Sequence, residues 1–130
     1  MILVDTSAWY ALLDEDDANH EPAVDRWHSI LDEHAVLTHT YVVLETSALV
    51  QRRLGMGAVD QLHDGLLPVA VLATIDRATH RRAVAGWRRA GNRRLSLVDV
   101  TSFTIMRDEG ITTAMAFDDD FAQAGFTLYG

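Results

Sequence analysis

The chain has 130 residues and a mass of 14.4 kDa, and 48% of its residues are apolar, which suits one domain with a real core and argues against disorder. It contains no cysteine, so disulfide frameworks and thiolate metal sites are excluded, and no lysine, so clustered acids have no ammonium to neutralise them. The formal net charge of −8 argues by its sign against a nucleic-acid partner, but the charge is unevenly spread. Residues 1–33 carry nine of the nineteen acids, whereas residues 77–98 carry seven of the eleven arginines and no acid, a local basic stripe that can act as an electrostatic footprint. No apolar run approaches the ~20 residues needed to span a bilayer. The N-terminus lacks the basic region and cleavage site of a signal peptide, so a soluble cytoplasmic chain forming a single domain over 1–130 is expected.

The elements follow from local pattern. Ile2-Leu3-Val4 reads as a short buried strand that ends in Asp5. The apolar stretch Ser7 to Leu13 reads as a helix that Thr6 or Ser7 can cap. Asp14 to Asp17 is a solvated connector without the glycine turn and spaced ligands of a calcium loop. Asn19 caps a second helix with Pro22 in its first turn, and Ala23, Val24, Trp27, Ile30 and Leu31 keep helical spacing. Ala35 to Thr38 is a second strand, and Thr40 to Leu54 a third helix. Glu45 is unusual there, because Val42, Ala48 and Leu49 lie three before, three after and four after it and place it on an apolar face. Gly55 stops this helix, Met56 to Leu66 suggests a fourth, and Pro68 opens a third strand, Val69 to Leu72.

A fifth helix, Ile75 to Ala90, is two-sided. Arg77, Arg81 and Arg88 form one stripe with Arg82 and Arg89 beside it, while Ala83, Trp87 and Ala90 lie opposite and can face the core. Leu95 to Val98 reads as an extended run ending in Asp99. From there a sixth helix reaches Glu109, with Phe103 and Met106 inward and Gly110 as its stop. Thr113 to Phe117 is a buried strand ending in Asp118, residues 119–124 a turn or short helix, and Phe126 to Tyr129 a last strand. Alternating strands and helices predict a mostly parallel α/β sandwich.

Asp5, Asp99 and Asp118 share one context, an apolar extended run with the acid next. Each alone could be a helix cap. Together they mean more, because parallel strands present their C-terminal ends on one side, where ligands gather. Asp5 and Asp118 are expected there as neighbours, with Glu45 and Asp99 reaching the same crevice from helices. Four such carboxylates repel and raise one another's pKa values. With no lysine, the neutraliser is expected to be a hard divalent cation, Mg²⁺ or Mn²⁺, bound through oxygens and water. Such an ion can activate water and stabilise charge on a phosphodiester, so metal-assisted phosphodiester hydrolysis follows as the expected chemistry.

Val4-Asp5-Thr6-Ser7, Glu45 within Tyr41 to Ala48, Leu95 to Phe103 around Asp99, and Ala116 to Phe121 around Asp118 resemble, in order and spacing, the four acidic blocks of PIN-domain ribonucleases. The small size and the Asp-Thr-Ser opening are most similar to the VapC toxins of VapBC type II toxin–antitoxin pairs. The resemblance implies a PIN-like α/β/α sandwich around a central, mostly parallel sheet of short strands, and a Mg²⁺- or Mn²⁺-dependent endoribonuclease acting on structured RNA such as tRNA or rRNA. It maps Asp5, Glu45, Asp99 and Asp118 onto the catalytic, metal-binding quartet and Thr6, Ser7 and Ser102 onto supporting positions. The last block often has Thr or Ser where Ala116 stands here, so Asp120 enters as a substitute or auxiliary ligand and Asp119 as a solvated turn residue. The resemblance also implies a cognate VapB-type antitoxin that covers the site, and a homodimer. The arginine stripe at Arg77, Arg81 and Arg88 fits phosphate contacts to RNA or, more plainly, a solvated helix face.

The six histidines show no paired ligand spacing and read as scattered surface or boundary residues, and Trp9, Trp27 and Trp87 as core packing rather than base stacking. A haloacid-dehalogenase-like phosphatase would need a second Asp where Ser7 stands and a lysine the chain lacks, and a receiver-type signalling domain fails on the same lysine. The alternative from another class is a non-catalytic PIN-like module that binds an antitoxin or RNA.

Overall fold

The computed structural model describes residues 1–130. Five short strands, β1 (Ile2–Val4), β2 (Val36–His39), β3 (Ala70–Ala73), β4 (Thr113–Met115) and β5 (Thr127–Leu128), form one sheet in the order β3-β2-β1-β4-β5. Every neighbouring pair is parallel. β1 is central, with Leu3 opposite Leu37 on one side and Ala114 on the other. A central parallel strand is covered on both faces, which is why Ile2, Leu3 and Val4 are all apolar and all buried. The chain builds outward from β1 through β2 to β3, then crosses to β4 and β5 on the opposite side. The strand order therefore reverses between β1 and β4, and the crevice beyond their C-terminal ends is where an open α/β sheet takes its ligands.

Helices α1 (Thr6–Leu13) and α2 (His20–Glu33) cover one face and α6 (Leu97–Glu109) and α7 (Asp120–Gln123) the other, with α3 (Thr40–Leu54), α4 (Met56–Asp60) and α5 (Arg77–Ala90) completing the layers. The two-residue alternation of β1 divides the core accordingly. Ile2 and Val4 pack with Trp9, Trp27, Ile30 and Met115, where the two indoles meet edge to face at 5.3 Å. Leu3 packs with Leu37, Phe103, Met106 and Phe121, with Phe103 edge to face on Phe121 at 5.0 Å. No helix is long and apolar enough to cross a membrane.

Several local expectations are corrected. Asp5 itself caps α1, accepting the Ser7 N–H, so neither Thr6 nor Ser7 serves as the cap. Leu95 to Val98 does not form a strand, because Ser96 caps α6 and the helix already begins at Leu97. The fourth helix loses its α-helical winding after Asp60 and continues as a π turn, Gln61–Leu66, before the 3-10 turn Leu67–Val69 that contains Pro68. In α5 only Ala83 is buried, Ala90 is exposed, and Trp87 stands 38% exposed outside the core. Among the stripe arginines' neighbours, Arg82 is committed to a bidentate pair with Asp108 on α6, at 3.0 and 2.5 Å.

Candidate active site

Asp5 sits where β1 ends and α1 begins, and its backbone N–H still donates to Met115 on β4. It is only 3% exposed. Its Oδ2 accepts from the Ser7 hydroxyl at 3.0 Å, but Oδ1 is buried with no hydrogen-bond partner. The same Ser7 hydroxyl accepts the Phe117 N–H at 3.0 Å. One serine thus ties the β1–α1 junction to the segment leaving β4, the segment that carries Asp118.

Asp99 arrives from another direction. It is the third residue of α6, and it forms a reciprocal capping box with Ser96: the Asp99 N–H donates to the Ser96 hydroxyl at 3.0 Å and the Ser96 N–H donates to Asp99 Oδ2 at 3.3 Å. Asp118 follows β4, and its Oδ1 accepts the Asp120 N–H at 3.1 Å in a tight turn, from which both acids act on Asp99. Asp119, between them, is exposed.

The electrostatics show which acids feel one another. Burial pushes the Asp5 carboxyl up to about 7, and the charges of Asp99 and Asp118 add to it. Burial likewise pushes Asp99 up to about 6, against the hydrogen bonds from Ser96 and with the charges of Asp120 and Asp118 adding to it. Asp118 is also raised, by burial and by Asp120. Asp5, Asp99, Asp118 and Asp120 therefore form one mutually repelling group. No cationic side chain lowers any of the three raised acids.

Glu45 is placed differently. The buried stripe of α3 is Val42, Thr46 and Val50, one step around the helix, which leaves Glu45 exposed rather than packed on an apolar face. Its apolar surroundings are real but open: with Tyr41, Leu44 and His80 it borders a shallow groove whose far wall is Leu97 and Val98, the residues just before Asp99. Beside it on α3, the Thr46 hydroxyl donates to the buried Thr6 hydroxyl at 3.2 Å, which locks this helix to the one that Asp5 caps.

Ser102 is fully buried on α6, and its hydroxyl lies 2.8 Å from His39 Nε2. His39 contradicts the reading of the histidines as surface or boundary residues, for it is 0% exposed. Its Nδ1 accepts the N–H groups of Tyr41 and Val42 and so caps α3, which leaves the proton on Nε2 to donate to Ser102. Burial holds this imidazole down at about 4, hence neutral. The signal for it was its position: like Asp5, it ends a buried strand and directly precedes a helix.

These residues suit a hard divalent cation. An all-oxygen set with a buried, unpartnered carboxylate oxygen and no cationic counter-charge is the donor chemistry that Mg²⁺ or Mn²⁺ takes. The carboxylates are grouped rather than closed, since no three acidic or histidine side chains converge to enclose an ion. That openness leaves coordination to water and substrate oxygens, as Mg²⁺ prefers.

The family model described as the PIN domain matches residues 2–127. A curated relative in two strains of Mycobacterium tuberculosis, the 23S rRNA-specific endonuclease VapC20, is 37% identical over 129 residues, 97% of this chain and 95% of that protein. The crystal structure of M. tuberculosis VapC20, described as a Sarcin-Ricin loop cleaving toxin, superposes with a TM-score of 0.89 at 37% identity, covering 98% of this chain and 97% of that one. FitAcB from Neisseria gonorrhoeae shares the fold, with a TM-score of 0.71 at 19% identity over 100% of this chain and 97% of that one.

Proposed function

The chain belongs to the PIN-domain family, and from that premise we propose that it is a Mg²⁺- or Mn²⁺-dependent endoribonuclease, the toxin of a type II toxin–antitoxin pair, formed by a single PIN domain over residues 1–130. Its substrate is structured RNA, with 23S rRNA the first to test because the relative of 37% identity is named for it. The observation that carries the reading is the buried, unpartnered Oδ1 of Asp5, a carboxyl that burial first, and the charges of Asp99 and Asp118 second, raise to about 7.

Asp5 and Asp99 would be the direct ligands of the cation, with water completing its shell and with Asp118, Asp120 and Glu45 as the further acids of the reading. When bound, the ion supplies Lewis-acid activation of water and neutralises charge developing on the phosphodiester. The chain's own groups provide the rest. Ser7 and Ser96 fix one oxygen each of Asp5 and Asp99, so these carboxylates are oriented before any ligand arrives. Burial around Asp5 keeps bulk water out and strengthens its field. Arg77, Arg81 and Arg88, none of them ion-paired, would position RNA phosphates. A cognate antitoxin and a second copy of the chain belong to the same reading, as does action in the cytoplasm. Leu44, 69% exposed beside Glu45, is the surface an antitoxin over the site would cover.

The test is cleavage of purified ribosomes and of tRNA by the purified chain with Mg²⁺ or Mn²⁺, read by mapping RNA ends. Discrete cuts that vanish with chelator are expected. Cuts that persist in excess chelator, or no cuts in any RNA, would remove the proposal.

A further inference from the structure

The core takes two of the three tryptophans and leaves the third. Trp9 and Trp27 are buried, whereas Trp87 keeps an open face on the surface. It is not a loose side chain, because its indole N–H donates to the Leu95 carbonyl at 3.0 Å and fixes the ring against the loop that joins α5 to α6. There it walls an open pocket of about 460 Å³ with Arg88, Arg93, Leu95, Ser96 and Leu97, a size that accepts a small planar group.

The lining states the ligand class. A fixed aromatic wall with leucines suits a flat heterocycle, and two guanidinium groups suit the anions attached to it. Charge agrees: residues 77–98 contain no acid, and Arg82, the arginine that is ion-paired, is not among the lining residues. Position agrees as well. Ser96 lines the pocket and also hydrogen-bonds Asp99 in both directions, while Leu97 is shared with the groove beside Glu45. The pocket therefore opens next to the acidic group, one helical turn away along α6.

We propose that this pocket is a nucleotide subsite of the nuclease: an unstacked base of the RNA substrate lies against Trp87, and Arg88 and Arg93 hold its flanking phosphates. It rests on the ribonuclease reading and adds to it the contact that sets which phosphodiester reaches the acids. Trp87 is here a positioning residue, distant from the bond that breaks.

The probe is a short end-labelled oligoadenylate, titrated into the full chain carrying Asp5→Asn so that it is not cut. Tryptophan fluorescence should be quenched saturably, and Trp87→Phe should remove the quenching while holding affinity within about twofold. Trp87→Ala should weaken binding about tenfold, and Arg88→Glu with Arg93→Glu should weaken it and flatten its salt dependence. Affinity unchanged in Trp87→Ala, with fluorescence unquenched, overturns the subsite. Loss of antitoxin binding in Trp87→Ala with RNA affinity unchanged assigns the pocket to the protein partner and overturns it too. Cleavage of RNA by the native chain, followed in parallel, separates the failures: intact cleavage with unquenched fluorescence sinks the subsite alone, whereas neither binding nor cleavage removes the ribonuclease reading with it.

Discussion

A carboxyl group that holds its proton to about pH 7 in the fold and to 3.8 in the unfolded chain works against stability wherever the fold must ionise it. Between those values the native state binds more protons at Asp5 than the unfolded chain does, so the Asp5 contribution to stability falls as pH rises through the window and is flat above about 7. Asp99, raised to about 6, adds in the same direction. His39 opposes both: held down at about 4 from 6.5, it makes the fold more stable as pH rises between those values. The Asp5 effect is therefore read as a difference. Asp5→Asn should melt above the native chain by an amount that grows from pH 4 and levels off above pH 7, where it is on the order of 4 kcal/mol, measured by thermal unfolding in chelator. A difference that shrinks with pH would show the carboxyl is not raised. Ser7→Ala should act the other way, because it leaves Asp5 Oδ2 and the Phe117 N–H without their shared partner; a loss of about 1–3 kcal/mol in urea unfolding is expected.

At the scale of elements, the site depends on how helices start. Asp5, His39 and Ser96 are each the N-cap of the helix that follows; Asp5 belongs to the acidic group, Ser96 holds Asp99, and His39 ties the start of α3 to Ser102 on α6. Ser96→Ala removes half of the α6 capping box and should cost about 1 kcal/mol of stability. The same change frees the Asp99 carboxylate to reorient, so metal-dependent cleavage should fall more than stability predicts; cleavage at the native rate would show that Asp99 needs no such support. These helix starts also mark what the sequence disclosed and what it withheld. The bounds of the third helix and the central strand were legible, because their periodicity and end signals agreed. Leu95 to Val98 misled, since four apolar-rich residues look alike as strand or as helix entrance, and only the serine three before Asp99 marked the capping box. Glu45 and Trp87 misled for one reason: helical spacing tells which residues share a face, not whether that face meets the core or the solvent. The grouping of Asp118 and Asp120 with Asp99 depended on a tight turn that no periodicity encodes.

For the whole molecule, the five-stranded parallel order places its reversal between β1 and β4, and that topology, more than any one contact, brings residues 5, 99 and 118 together. The core has the matching job of keeping the strand ends in register. Trp9, fully buried between the sheet and Trp27, should cost about 3–5 kcal/mol when changed to alanine, which can be read from denaturant unfolding. RNA binding is the other property of the whole surface. Despite the net charge of −8, the seven arginines of residues 77–98 should give an affinity that falls with salt, and Arg77→Glu with Arg81→Glu should weaken binding and lower the salt slope. Binding unchanged in that double variant would return the stripe to plain solvated surface. The central claim is that a folded, pre-oriented carboxylate group at the end of β1 runs RNA cleavage through a divalent cation. The most direct measurement is the single-turnover cleavage rate of Asp5→Asn against the native chain in Mn²⁺, with thermal unfolding on the same samples. The account predicts a variant at least as stable as the native chain and slower by on the order of a hundredfold or more. A stable Asp5→Asn that cleaves at the native rate would contradict it.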